Sequence, residues 1–333
     1  MQQLDCVIGI DGGGSYTRVM AADLQGNVLS YAETGASSIY KDKDAAHNVR
    51  EGIAAALQAA SREAGHVKGL VAGVAGFDKP SDLTWVEELT AYPGIDCPRG
   101  HVNDAIIAHS GAFLTKPGVV VISGTGSIVV AITEQGRVIR NYDLFHYAAS
   151  AARFLAYDLM YELLAGNGGP TDAELTEQTL AYWDATDLRE LRAIALEGFV
   201  ADGQQRNSKF GRMAPLVTEA ALAGSLLARR ICDRKVHEIE VAVRMLGTYF
   251  AGEDVSVACI GSVINSAYMM QQFQASCASH DGHADRKRIS VIEPMLSPVA
   301  GAVLMAYKQL GLTWDEATVS RLLNHEKAAF ASS

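Results

Sequence analysis

The sequence predicts an α/β protein made of two similar halves, and three observations carry that prediction. Short apolar runs rich in β-branched residues alternate with longer segments whose apolar residues have helical spacing. A strand, a glycine turn and a second strand at residues 6–24 form a pattern that recurs at residues 118–133. A chain of 333 residues is also long enough for two domains. We therefore expect domains at residues 1–113 and 114–333.

The first half contains the strands that would build the first sheet. Apolar runs predict strands at residues 6–10, 18–24, 28–33, 69–76 and 102–103. Helical spacing predicts helices at residues 44–64, 82–91 and 105–114.

The second half restarts with strands and then becomes mostly helical. Strands are predicted at residues 118–122, 128–133, 255–260 and 289–292. Helices are predicted at residues 150–164, through most of 172–247, and at 266–276 and 299–310, the last opened by a proline.

Composition and charge exclude several classes of function. The formal net charge is −10 and the basic residues form no dense run, which argues against a nucleic-acid surface. No apolar stretch reaches the ~18 residues of a membrane span, and the first residues do not resemble a signal peptide. The five cysteines form no C-x-x-C pair, as expected of reduced thiols. We therefore expect a cytoplasmic protein that binds neither membranes nor nucleic acids.

The first candidate site is the turn Asp11-Gly12-Gly13-Gly14-Ser15, between two predicted strands. Three glycines let a backbone pass close to phosphate oxygens, and the neighbouring carboxylate can hold Mg²⁺. A plain hairpin turn is an equally good interpretation of this motif alone.

A second glycine turn favours phosphate binding over the plain hairpin. Gly124, Thr125, Gly126 and Ser127 follow a β-branched strand in the same position of the second half. Two such turns are what a two-sided phosphate clamp requires. A third turn, at Gly261-Ser262, follows a later strand and is either a packing glycine or a platform for a nucleoside.

Asp104 is the candidate general base. It follows a short strand and begins a predicted helix, so its carboxylate could accept the proton of a hydroxyl that attacks a phosphate. The alternative is an N-cap, because aspartate is a preferred capping residue.

Five segments in order resemble the BadF/BadG/BcrA/BcrD-type ATPases, a family that includes N-acetylglucosamine kinase and glucosamine kinase within the actin–hexokinase–Hsp70 superfamily. The segments are similar to the family's two phosphate motifs, the catalytic aspartate segment, the adenosine motif and the closing helix. They are, in chain order, residues 9–15, 102–105, 121–127, 260–263 and 297–302.

The resemblance implies two RNase-H-like, actin-like ATPase domains that face each other across a nucleotide cleft, with the closing helix packed back on the first domain. It implies ATP and Mg²⁺ as cofactors, Asp11 at the metal, Asp104 as the base and Thr17 as a second hydroxyl of the first phosphate motif. It further implies a sugar-kinase-like phosphotransferase, commonly a homodimer, that acts on a small-molecule acceptor.

The acceptor side departs from that family pattern. Amino-sugar kinases of the family carry Gly-Asp-Glu-Gly-Ser after the second phosphate motif, whereas the two acidic positions are Ala148 and Ala149 here. Losing hydroxyl acceptors from a sugar pocket costs about 1–3 kcal/mol for each unpaired group. We therefore expect an acceptor other than N-acetylglucosamine, bound by some of four candidate residues: Ser38, Gly76, Asp143 and His146.

Two other functions stay open. The first is a non-catalytic nucleotide- or metabolite-binding regulator descended from a kinase, which would explain the missing acidic pair. The second is an activator of a radical dehydratase, which would need paired cysteines for an iron–sulfur cluster.

Overall fold

The computed structural model describes residues 4–40, 42–278 and 286–330. They form two compact units, residues 4–120 with 293–330 and residues 121–278 with 286–292. The sequence-based boundary at 113/114 falls just before the first strand of the second sheet, whereas the two units divide inside that strand. The C-terminal segment belongs to the first unit.

The first unit is built on a five-stranded sheet with the order β3-β2-β1-β4-β5. β1 pairs antiparallel with β2 and parallel with β4, which is parallel to β5. The strands are β1 (Cys6–Gly12), β2 (Thr17–Asp23), β3 (Val28–Thr34), β4 (Val67–Val74) and β5 (Arg99–Asn103).

Helices cover both faces of this sheet, which explains why β1 is buried along its whole length. Ile8 and Ile10 join a core cluster with residues of two helices, whereas Val7 points into the cluster on the other face. The helices of this stretch are α1 (Ala45–Ala59), α2 (Leu83–Leu89) and α3 (Asp104–Phe113).

The second unit has its own five-stranded sheet, with the order β10-β9-β6-β7-β8. Its strands are β6 (Gly118–Ser123), β7 (Ser127–Ile132), β8 (Val138–Arg140), β9 (Asp254–Ile260) and β10 (Arg288–Ile292). A short 3₁₀ turn, Asn141–Leu144, follows β8. Sequence analysis does not predict β8, which is only three residues long.

Seven helices are described in the second unit, and the predicted helical stretch at residues 172–247 is confirmed as four short helices and one long one. They are α4 (Ala152–Ala165), α5 (Ala173–Tyr182), α6 (Leu188–Leu196), α7 (Gly203–Gly211), α8 (Ala214–Ala223), α9 (Leu226–Gly247) and α10 (Ala267–Ala278).

The last helices, α11 (Pro298–Gln309) and α12 (Glu316–Leu323), pack in the first unit. α11 lies directly on β1 and α3, and glycines make that approach possible. A Cβ added to Gly9 would lie 2.6 Å from the Val299 carbonyl oxygen, and one added to Gly301 would lie 2.1 Å from the Ile107 oxygen. Sequence analysis does not predict α12. No helix among the described residues is long and apolar enough to span a membrane.

Candidate functional site

The carboxyl ends of three parallel strands meet at one edge of the first sheet. Gly12 of β1 is in register with Val74 of β4, which is in register with Asn103 of β5. Asp11, the loop after β4 and Asp104 therefore emerge side by side. In α/β proteins, ligands usually bind beyond the carboxyl ends of the parallel strands.

The first glycine turn presents backbone donors at this edge. The Gly13 N–H donates to the Tyr16 carbonyl (2.9 Å), while the amides of Gly14 and Ser15 have no protein acceptor within the described residues. Gly12 must remain without a side chain, because its Cβ would lie 2.7 Å from Ser37 Oγ. The predicted phosphate turn thus has free N–H groups and closely packed walls.

Asp11 is 8% exposed and pairs with Arg18, whose Nη1 lies 3.2 Å from Asp11 Oδ2. Burial raises the pKa of the Asp11 carboxyl, and the Arg18 charge opposes that rise. Within the described residues, no three His, Cys, Asp or Glu side chains gather as a ready-made metal site. Asp11 therefore fits only a cation that takes its other ligands from water and a bound phosphate, as Mg²⁺ does.

Asp104 is the first residue of α3, and the neighbouring Asn103 performs the capping. The Asn103 side chain accepts the Ala105 N–H (3.0 Å), which Asp104 Oδ1 also approaches at 3.0 Å. No salt bridge to Asp104 occurs within the described residues. Burial first, and then the negative charge of Asp11, raise the pKa of the Asp104 carboxyl to about 7.

A carboxyl that is half deprotonated near neutral pH is suited to proton transfer at that pH. Asp78 contributes a further negative charge that raises the pKa of Asp104. Asp78 Oδ1 accepts from Asn103 Nδ2 (3.1 Å), so the loop after β4 is fastened beside Asp104.

The candidates on the acceptor side differ in their availability. Gly76 lies in the loop after β4 with a φ of +87°, which requires glycine. Ser38 is buried and its carbonyl accepts the Asp42 N–H. Thr17 is fully buried and donates its hydroxyl to the Gly35 carbonyl (2.8 Å), so this hydroxyl holds the loop before Ser38.

The second glycine turn lies in the second unit, where it joins β6 to β7. Gly124 N–H donates to the Gly126 carbonyl (2.9 Å), and Thr125 and Gly126 are exposed. The Ser127 hydroxyl donates to the Ala148 carbonyl (2.9 Å), which ties the turn to the segment that follows β8.

The predicted nucleoside turn packs directly on this second turn. The amides of Val263 and Ile264 both donate to the Ser123 carbonyl, at 3.1 and 3.2 Å. Gly261 has a φ of +106°, and a Cβ there would lie 2.5 Å from the Ser123 oxygen. The structure therefore brings residues 123–127 and 261–264 together as one surface.

A cavity of about 290 Å³ opens beside Ser262. α8 supplies its other wall, and most of its lining is apolar, with a few hydroxyls and one carboxylate. The lining residues are Ala214, Pro215, Thr218, Glu219, Leu222, Ser262, Val263, Ser266 and Ala267. A mostly apolar slot with a few polar groups suits a nucleoside. Sequence analysis does not predict the contribution of α8, because nothing in its sequence distinguishes it from the other helices.

Asp143 and His146 lie on the segment after β8. Asp143 forms a salt bridge with Arg140 (2.9 Å), which lowers the pKa of its carboxyl against the effect of burial. His146 Nδ1 is buried and has no hydrogen-bond partner within the described residues. Of the two candidates, His146 is therefore the one whose side chain has a polar atom available for a further hydrogen bond.

Glu238 of α9 meets the two alanines that replace the family's acidic pair. The Ala149 N–H donates to Glu238 Oε2 (3.0 Å), and Glu238 Oε1 lies 3.5 Å from the buried Lys235 ammonium. A carboxylate thus reaches this segment from a residue far away in sequence, which explains why sequence reasoning misses it. Arg153 approaches the second turn from α4, with Nη1 3.4 Å from the Thr125 carbonyl.

The five cysteines all lie within the described residues. None forms a disulfide, and all but Cys97 are buried. Burial raises the pKa of the Cys232 and Cys277 thiols to about 12, so these two are protonated at neutral pH.

Comparisons with known proteins agree with this architecture. The family model described as the BadF/BadG/BcrA/BcrD ATPase family matches residues 8–306. An N-acetylmuramic acid/N-acetylglucosamine kinase from Clostridium acetobutylicum is 24% identical over 306 residues, covering 90% of this chain and 97% of the relative.

Solved structures share the fold. A structure from Porphyromonas gingivalis, described as a candidate N-acetylglucosamine kinase, matches with a TM-score of 0.64 and 13% identity, covering 92% of this chain and all of that one. A second such candidate, from Chromobacterium violaceum, gives a TM-score of 0.59 and 22% identity, covering 91% and 99% of the two chains.

Proposed function

Because the chain belongs to the BadF/BadG/BcrA/BcrD ATPase family, we propose that it transfers the γ-phosphoryl group of ATP to a hydroxyl of a small carbohydrate or a related, amino-sugar-like metabolite. The observation that carries the proposal is Asp104, a carboxylate at the open edge of the sheet whose pKa is raised to about 7. A binding protein has no need of such a group, whereas phosphoryl transfer to a hydroxyl needs a base.

In the proposed reaction, Asp104 takes the proton of the acceptor hydroxyl as its oxygen attacks the γ-phosphorus. A bond forms between that oxygen and phosphorus, and the bond from the γ-phosphorus to the β–γ bridging oxygen breaks. ADP leaves with the electron pair of that bond, and Asp104 later releases the proton to solvent. Atoms and charge balance without a further co-reactant.

The two glycine turns, Gly12–Ser15 and Gly124–Ser127, are the proposed phosphate-binding residues. The free amides of the first turn and the exposed backbone of the second support this role. Asp11 would hold Mg²⁺ through one carboxylate, and the ion would neutralise charge on the phosphates. The cavity beside Ser262 is the proposed adenosine site.

The acceptor is proposed at the level of a class. The relatives described as kinases of N-acetylglucosamine and N-acetylmuramic acid favour a sugar. Ala148 and Ala149 offer no side-chain carboxylate, although Glu238 reaches the backbone of Ala149. We therefore propose a sugar whose recognition differs from that of N-acetylglucosamine in the family's amino-sugar kinases.

The same alanine pair favours one other function, a nucleotide- or metabolite-binding regulator without turnover. The two functions are separated by an ADP-release assay with Mg-ATP and a panel of amino sugars, acetylated amino sugars, hexoses, pentoses and polyols. Release that depends on an acceptor and disappears in Asp104→Asn supports the kinase. ATP binding without acceptor-dependent release supports the regulator.

We also propose a cytoplasmic homodimer, the state that the family resemblance implies. Light scattering coupled to size-exclusion chromatography tests the oligomeric state directly. A mass of one chain, with and without ATP, would contradict the dimer.

A further inference from the structure

Tyr40 is an aromatic side chain that the proposed reaction does not yet use. It is 71% exposed, although it lies among well-packed elements of the first unit. Its ring meets Trp85 edge to face, with centroids 6.3 Å apart and planes at 77°. Burying such a ring would contribute about 1.5–3 kcal/mol, so this fold forgoes much of that stabilisation at Tyr40.

The ring is held at a defined place. A Cβ added to Gly76 would lie 3.5 Å from Cε2 of the Tyr40 ring, so the ring rests against the bare backbone of that glycine. Edge contact with Trp85 on another side limits its rotation. The contact with Gly76 joins the ring to the loop after β4, where Gly76 has the positive φ described above.

This place is linked to the proposed base through the loop after β4. Two residues beyond Gly76, Asp78 accepts a hydrogen bond from Asn103, and Asn103 also donates to the Phe77 carbonyl (3.3 Å). Asn103 is followed directly by Asp104. A short series of contacts within the first unit therefore connects the Tyr40 ring to the edge of the sheet that carries Asp104.

The loop that carries Tyr40 is also fastened to the first phosphate turn. The Ser37 N–H donates to the Gly13 carbonyl (3.1 Å), and the Ser37 hydroxyl donates to the same oxygen (3.2 Å). Residues 37–40 therefore run from the first glycine turn toward the loop after β4. Ser37 lies at the end that contacts the glycine turn, and Tyr40 lies at the other end.

The chemistry of a sugar ring matches these surroundings. A pyranose has a face of C–H groups and a rim of hydroxyls, so it needs an apolar surface on one side and acceptors around it. An exposed, pre-positioned tyrosine supplies the surface at a small cost in conformational entropy. The carboxylates of Asp78 and Asp104 supply acceptors for hydroxyls.

We propose that Tyr40 determines acceptor specificity by packing against the face of a cyclic sugar. This inference rests on the proposed function and narrows its acceptor class from small carbohydrates and related metabolites to pyranoses. An open-chain polyol keeps the hydroxyls of the ring form and gains one from the ring oxygen, but it has no rigid face, and it binds more weakly for that reason.

The test compares Tyr40→Ala with Tyr40→Phe and with Tyr161→Ala. Tyr161 is a matched control, because it is 61% exposed on α4 and stacks on Tyr157. The full chain is titrated by calorimetry with N-acetylglucosamine, N-acetylmuramic acid and glucose, and with the reduced, open-chain form of each. Turnover of each sugar is followed by ADP release in parallel.

Tyr40→Ala should weaken binding and raise KM for the ring sugar by about tenfold, with KM for ATP and kcat changed less than about twofold. Tyr40→Phe keeps the aromatic face, so its constants stay near those of the wild type. The wild-type preference for the ring over the open chain should disappear in Tyr40→Ala and persist in Tyr161→Ala.

Three other outcomes would each contradict either the role of Tyr40 or the kinase proposal. Unchanged sugar binding in Tyr40→Ala would overturn the role of Tyr40 while leaving the kinase proposal intact. Sugar binding without turnover would overturn the kinase proposal, and the binding constants would still decide the role of Tyr40. A wild-type chain that neither binds nor phosphorylates any of the three ring sugars would overturn this inference.

Discussion

The two glycine turns each join a pair of neighbouring strands, and they differ in their chemical surroundings. The first, at Gly12–Ser15, lies on an edge that also carries Asp11 and Asp104, and burial raises the pKa of both carboxyls. The second, at Gly124–Ser127, has no carboxylate in its own sequence and lies against residues 261–264. The proposed phosphate donors therefore lie in both units, whereas the proposed proton acceptor, Asp104, lies in the first.

The largest expected effect comes from Asp104→Asn, which removes the base and keeps the shape. Turnover should fall by about 10²–10⁴-fold while ATP affinity is nearly unchanged. The substitution is isosteric, so a loss of activity cannot be attributed to a cavity. Steady-state ADP release and nucleotide titration measure the two quantities.

The same variant should be more stable than the wild type at pH 8. The folded pKa of Asp104 is about 7, above the ordinary 3.8, so the folded state loses stability from this group as pH rises from about 4 through 7. Asparagine removes that loss, and a pKa raised from 3.8 to about 7 corresponds to a gain of up to about 4 kcal/mol at pH 8. Asp143→Asn is the control, since it breaks a salt bridge and should give no gain. Equal stability of wild type and Asp104→Asn at pH 8 would contradict the raised pKa.

His109 tests whether acid weakens the first unit. It is fully buried on α3, with Nε2 3.0 Å from the Gly118 carbonyl, and burial lowers its pKa from 6.5 to about 4. Between these values the unfolded chain binds a proton that the folded chain does not. Stability from this group is therefore complete above about pH 6.5 and decreases as pH falls toward 4.

The expected loss by pH 4 is about 2–3 kcal/mol relative to a variant that does not titrate at this position. His109→Gln keeps a donor for the Gly118 carbonyl and removes the titration. Urea unfolding of both proteins at pH 8, 6 and 5 should show a difference that changes with pH. A constant difference would mean that His109 does not titrate in this range.

The smallest effect concerns the second turn. Gly126 has no atom within 4 Å of an added Cβ and no positive φ, so Gly126→Ala should fold normally. If this backbone lies against phosphates, the methyl group should raise KM for ATP by about tenfold without changing the unfolding midpoint. Gly65→Ala, equally open in the first unit, is the control and should change neither quantity. An unchanged KM in Gly126→Ala would remove this turn from the phosphate site.

The sequence was sufficient for the architecture because strands and glycine turns are local patterns. The strand β1, the turns at residues 12–15 and 124–127, and the position of Asp104 at the start of α3 are all confirmed. The short strand β8 has too few residues for a periodic signal. α12 begins after an aspartate N-cap, Asp315. A capping residue of this kind is a local signal from which the start of the helix can be predicted.

The acceptor side was much less predictable, because its contacts join residues distant in sequence. Glu238 reaches Ala149 across 89 positions, and the Tyr40 ring reaches Gly76 across the helix α1 and the strand β4. The capping alternative for Asp104 was likewise decided only by geometry, since Asn103 takes that role. The raised pKa of Asp104 depends on burial, which no local motif reports.

The most direct test of the central claim is the detection of a phosphorylated acceptor. Wild type and Asp104→Asn are incubated with Mg-ATP and each sugar of the panel, and the products are analysed by mass spectrometry. We predict a sugar that gains one phosphoryl group in the wild type, in amounts equal to the ADP formed, and no such product in the variant. ADP formed at the same rate without any acceptor, or an Asp104→Asn variant that phosphorylates at the wild-type rate, would contradict the account.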